Sequence, residues 1–183
     1  MKKNLIGAIV AGLILFVWQT LSWPILNLHG KTLQYTPKQD TVMAHLNEWF
    51  SEEGGYIIPS VAPGSSMEDM EKVTQQSIGK PWAQILYHKS FEYNMAGSMI
   101  RGLLTNIVLM LLFCWILSKF GTNRFTTTLT ASVFTGLIAF TNIVYTQHIW
   151  YQSLDLYAHL TDAIVGWGAA GLWLGWWMNR KNK

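Results

Sequence analysis

Four long apolar runs, one long polar stretch and two short breaks set the plan of this 183-residue chain. The first run, LIGAIVAGLILFVWQTLSW, follows Lys2 and Lys3. At about 19–20 residues it is long enough to cross a bilayer, and Pro24 is expected to end it. No small-x-small cleavage site follows, so the run reads as an uncleaved signal anchor. The second run covers residues 99–117, the third about 128–145, and the fourth 155–177. That last run, DLYAHLTDAIVGWGAAGLWLGWW, carries two different sides. At about 100° per residue, Asp155, His159, Asp162, Gly166 and Ala169 share one side, and Gly168, Gly171 and Gly175 share the other. A helix with a polar stripe opposite a glycine stripe is expected to have protein neighbours on both sides.

The polar stretch, residues 27–96, has a different rhythm and holds four of the five prolines. A short amphipathic helix is expected over TVMAHLNEWF, capped by Asp40. Ser66 and Asp69 form the S-x-x-D pattern that opens a second helix running toward Ser77. Tyr56-Ile57-Ile58 and WAQILYH (82–88) read as two strands able to pair. About 70 residues support only a thin core, so this insert is expected to lean on the bilayer or on the helices. The fold class is therefore a mainly α membrane protein: four transmembrane helices with a small α+β extracytoplasmic insert between the first two. Its segments are 1–26, the anchor helix; 27–96, the insert; and 97–183, a three-helix transmembrane region.

Charge sharpens the topology. Half the residues are hydrophobic and only 13% are charged, and all ten acidic residues lie between Asp40 and Asp162. Four spans put Lys2, Lys3, Lys119, Arg124, Arg180, Lys181 and Lys183 on one side without a compensating acid. The positive-inside rule then places both termini and the middle loop in the cytoplasm, and residues 27–96 outside. These basic residues orient the chain and carry no nucleic-acid signal. The single cysteine, Cys114, excludes an intrachain disulfide and reads as a small buried hydrophobe.

Candidate chemistry is confined to polar residues within the spans. Arg101 and Asp162 each lie about 25 Å above the cytoplasmic edge of a hydrocarbon core about 30 Å thick. Asn142 reaches a similar level, Gln19 lies slightly lower, and Asn106 sits one turn below Arg101. An isolated charge at such depth costs about 2–3 kcal/mol, so Arg101 and Asp162 are expected to pair. Arg101, Asn106, Asn142, His159 and Asp162 then form either a structural layer fixing helix register or a cavity for an ion or small polar ligand. Asp155, His159 and Asp162 follow an i, i+4, i+7 spacing, with His29 and His148 expected at the same interface, which makes a weak metal-ligand pattern. No H-E-x-x-H, G-x-S-x-G, Walker loop or G-x-G-x-x-G occurs, so no catalytic residue and no cofactor is expected.

The stretches FVWQTLSWPILNLH, GGYIIPS, PWAQILYHKS and IWYQSLDLYAHLTDAIVGWGAAGLWLGW resemble a family of small bacterial four-span inner-membrane proteins with no known activity. The resemblance implies the bacterial inner membrane as location, and an insert that forms one unit with the helices. The leading expectation is a non-enzymatic accessory subunit of a membrane complex or a homo-oligomer, its partners being the bilayer and other membrane subunits or itself. The glycine stripes and the small insert motivate that reading. The alternative is binding or transport of an ion or small polar or lipid ligand at the layer around Arg101 and Asp162.

Overall fold

A computed structural model describes residues 2–119 and 124–180. The chain divides into two compact units, residues 1–34 with 94–183, and residues 35–93. The boundaries therefore fall at 34/35 and 93/94, and residues 27–34, assigned to the insert from sequence, belong with the helices. The resemblance implied that insert and helices form one unit; the packing separates them into two. Lys181 and Lys183 lie outside the described residues.

The helical unit contains α1 (Lys2–Thr20), α4 (Met95–Leu117), α5 (Phe125–Ala139), α6 (Thr146–Trp150) and α7 (Leu156–Asn179). Two of these continue through widened π-helical turns. Residues Leu21–Ile25 prolong α1, and Phe140–Tyr145 join α5 to α6. Pro24 therefore does not stop the first helix where expected; it sits inside the wide turn. A missing N–H is tolerated there because Leu26 N bonds Leu21 O at 2.8 Å and Leu28 N bonds Ser22 O at 3.0 Å around it.

Three helices are long and apolar enough to cross a membrane: Lys2–Ile25, Met95–Leu117 and Phe125–Trp150. The last helix is as long, but its glycines and tryptophans, with His159 and Asp162, leave it less apolar, and it is not among the three. It is instead a central element, packed on α5 along one side and on α1 along the other; α1 in turn packs on α4. Asp162 and Gly166 face α1, where a Cβ on Gly166 would meet Trp18 and Leu15. The glycine stripe faces α5, with Gly171 on Ser132 and Gly175 on Phe125. Both stripes are thus occupied within the subunit. The closest approaches admit no larger residue. A Cβ at Gly136 would lie 2.4 Å from Ala163 O, and one at Gly12 would lie 2.8 Å from the Ile107 backbone.

The core sits toward the end of the unit where α1 begins and α7 finishes. Ala8, Ala11 and Leu15 meet Met110, Phe113 and Cys114 of α4, and Ala170, Leu174 and Met178 of α7. Trp173 and Trp177 donate their indole N–H groups to Gly7 O at 3.1 Å and Lys3 O at 2.8 Å. The Lys3 ammonium donates to Met178 O at 3.1 Å, placing a cation against the negative end of α7.

In the second unit, α2 (Gln39–Trp49) begins one residue before Asp40. Asp40 therefore lies in the first turn and is not the cap; Lys38 occupies the N-cap position without a side-chain bond. Ser66 and Asp69 close the expected capping box on α3 (Met67–Ser77). Strands β1 (Gly54–Ile58) and β2 (Ala83–Tyr87) pair antiparallel, with Tyr56 opposite Ile85. Phe50 stacks on Tyr56 at 3.8 Å, and the buried Tyr87 hydroxyl donates to Asn47. This unit has little interior beyond that aromatic cluster.

Candidate functional site

The opposite end of the helical unit is built differently. Beyond the wide turn of α1, Asn27 adopts a left-handed conformation (φ 50°), which asparagine tolerates better than most residues. The reversal folds the chain back so that His29 returns over the end of α1. Its ring stacks flat on Trp23, with centroids 3.9 Å apart and planes within 3°. Thr32 donates through its backbone N–H and its hydroxyl to His29 O, closing the turn at 3.0 and 2.8 Å. His29 is completely buried.

Both imidazole nitrogens face carboxylates from α7. Nδ1 lies 2.7 Å from Asp155 Oδ2, and Nε2 lies 3.0 Å from Asp162 Oδ2. The i, i+4, i+7 spacing puts Asp155, His159 and Asp162 on one face of this helix, with Asp155 at its N-cap. Asp162 Oδ1 accepts from Trp18 Nε1 at 2.9 Å and from Ser22 Oγ at 2.6 Å. Asp155 Oδ1 accepts from the Ser153 hydroxyl, and Ser153 N donates to His148 Nδ1 at 2.9 Å. His159 sits edge-on to His29, ring centroids 4.7 Å apart, with Nε2 3.4 Å from Asp155 Oδ2. Among the described residues, every buried side-chain polar atom in the unit has a partner.

A cavity of about 400 Å³ opens beside this cluster. His159, Asp162, Trp18, Trp23 and Trp167 line it, and Phe140 and Ile143 of the second wide turn form its far wall. Both π-helical turns therefore border the same site. Widened turns of this kind are frequent at functional positions because they displace backbone and side chains from regular helical packing.

The residues expected to form one layer are distributed over three places, the first being the cavity that His159, Asp162 and Asn106 line together. His159 and Asp162 meet at the cluster. Asn106 is buried and paired with Gln19: its Nδ2 donates to Gln19 Oε1 at 2.8 Å and to Gly102 O at 3.0 Å. Arg101 is exposed in a neighbouring cleft that shares Gln19, Asn106 and Leu109 with the cavity, and it forms no salt bridge with Asp162. Asn142 lies on the exposed side of the second wide turn, in a groove with Phe134 and Ile138. The expected Arg101–Asp162 pair is thus replaced by His29–Asp162. Equal depth sets height along a bundle but not direction around each helix, and Arg101 faces away.

The metal-ligand pattern also shifts. His29, Asp155 and His159 form the cluster whose ligand atoms converge, all within 4.8 Å of one another, while Asp162 holds the far nitrogen of His29. His29 is the hub that the sequence pattern placed only loosely at this interface. Its nearest sequence signal is the Trp-Pro-x-x-Asn-x-His run, where a proline and a turn-forming asparagine precede a histidine. Trp18 and Trp23 read from sequence as interface markers, whereas here one donates to Asp162 and the other stacks on His29; Ser22 has no signal within an apolar run.

No protein-family model matches the chain, and neither a curated protein nor a solved structure is significantly similar to it.

Proposed function

We propose that the chain is a four-span integral membrane protein that binds a cation at the cavity beside His29, Asp155 and Asp162. One observation carries this reading. Two carboxylates converge on one buried imidazole, and no Lys or Arg among the described residues pairs with either. His29 alone bridges both carboxylates and His159 reaches only Asp155, so unless both imidazoles are protonated the cluster keeps a negative charge in excess, which a cation at the site neutralises. Burying uncompensated charge in an apolar surrounding is costly, so the site favours such an occupant.

Membrane insertion draws support from the outward faces. Leu5, Ile9, Leu13 and Val17 of α1, and Leu104, Val108 and Leu112 of α4, are all exposed. The less apolar α7 serves as the fourth span because α1 and α5 cover it on two sides. Lys2, Lys3, Lys119, Arg124 and Arg180 favour an inner-membrane topology with both termini in the cytoplasm. An accessory-subunit role is less favoured, because the glycine stripes that suggested an outside helix are filled from within.

The test is thermal unfolding of the protein in mild detergent, at constant ionic strength, with sodium, potassium, ammonium, guanidinium, magnesium, calcium, manganese or zinc chloride. At least one cation is expected to raise the midpoint, and the Asp155→Asn/Asp162→Asn double variant is expected to lose that response while remaining monodisperse. If no cation moves the wild-type midpoint the reading fails, and a lowered midpoint in the double variant then marks the cluster as a structural lock.

A further inference from the structure

Resting on that reading, we infer that the cation is a first-row divalent transition-metal ion of the zinc class, held by His29 Nδ1, Asp155 Oδ2 and His159 Nε2. Each of the three residues offers one ligand atom within 4.8 Å of the other two, and His29 Nδ1 and His159 Nε2 are the nitrogens that approach Asp155 Oδ2. Tetrahedral zinc, with bonds of about 2.0–2.1 Å, needs ligand atoms about 3.3 Å apart. Asp155 and His159 are already 3.4 Å apart, and His29 is 2.7 Å from Asp155, so a small opening of that contact admits the ion.

The surroundings are those of a prepared ligand set. A metal-bound histidine commonly donates its other ring N–H to a carboxylate, which fixes its tautomer and orientation. Asp162 stands in that position, 3.0 Å from His29 Nε2, and is itself fixed by Trp18 and Ser22. With the proton held on Nε2, the Nδ1 lone pair points to where Asp155 and His159 converge. Ser153 orients the Asp155 carboxylate, and Trp23 clamps the His29 ring from its face. The charges also balance: a divalent ion, two carboxylates and two neutral imidazoles sum to zero.

Two nitrogens and one carboxylate oxygen select zinc, iron, cobalt, nickel or copper over magnesium and calcium, which prefer all-oxygen shells. Three protein ligands leave a coordination position free. Because His159 lines the cavity, that position is available to water or to a small ligand entering the same space. The apolar and aromatic walls confine such a ligand to a small molecule.

The deciding experiment uses the full chain in detergent, tag removed and chelator-treated, then loaded with zinc or cobalt chloride and desalted. One zinc per chain is expected by elemental analysis, and cobalt should give visible absorption bands of a low-symmetry nitrogen–oxygen site. His159→Ala and Asp155→Asn should lose both signals, whereas Arg101→Ala should keep them. Asp162→Asn should retain the bands but weaken affinity about tenfold to hundredfold. His159 is partly exposed, so its truncation is compatible with folding, checked by the metal-free unfolding midpoint. The inference is overturned if wild type retains no zinc, or if His159→Ala binds it unchanged. Should zinc fail while a monovalent or organic cation still raises the wild-type midpoint, only the metal assignment falls. Should every cation fail, the underlying reading falls with it.

Discussion

The two ends of the helical unit use the same helices to opposite purposes. At one end, Ala8, Ala11, Leu174 and Met178 interlock without a gap, and tryptophan N–H groups are spent on neighbouring backbone. At the other, two turns widen, the chain doubles back, and polar side chains are paired around a cavity. Regular helices with small residues pack shut. A departure from regularity in two of them borders a cavity, and it is there that His29, Asp155, His159 and Asp162 gather. Packing and chemistry are thus separated along the bundle axis.

The sharpest way to break that contrast is to remove the hub. His29→Ala leaves a buried Asp155 and a half-buried Asp162 without their shared partner, and the loss is expected to be about 3 kcal/mol of stability in metal-free protein. Measured by chemical unfolding in detergent, a cost below 1 kcal/mol would show that water reaches the carboxylates freely. At the packed end, Leu174→Ala removes a fully buried side chain and should cost about 2–5 kcal/mol. It should leave cation responses intact; a loss of zinc binding in that variant would mean the two ends are not independent. Arg101→Ala should change stability by less than about 0.5 kcal/mol, since this exposed residue makes no ion pair among the described residues. An effect as large as that of His29→Ala would restore Arg101 to the polar centre.

Much of this contrast can be read from residue order. The apolar runs, the Ser66–Asp69 cap and the pairing of GGYII with AQILY depend on local pattern, and each appears in the structure. The two-sided character of the last helix also follows from spacing, since Gly171 and Gly175 meet α5 while Asp162 meets α1. The location of His29 does not follow, because it depends on one wide turn and one left-handed Asn27, neither of which has a hydrophobic period. Arg101 was misdirected for a related reason: counting turns from a helix end measures height, whereas contact also requires rotation about the axis. A site assembled from irregular backbone is the part of a helical protein least visible to periodicity.

The wide turn Phe140–Tyr145 also has a genetic meaning. A π turn accommodates one more residue than the α-helix around it, so this is a place in the span where a single codon can be deleted and regular helix restored. Such a deletion would draw the turn inward against α7 while the helix beyond it kept its register, because the extra residue is absorbed within the wide turn. The cavity wall would move while the lower packing stayed. A chain with that shorter helix would keep the packed end and narrow the cavity that His159 and Asp162 line, so the length of this one helix sets the room at the site.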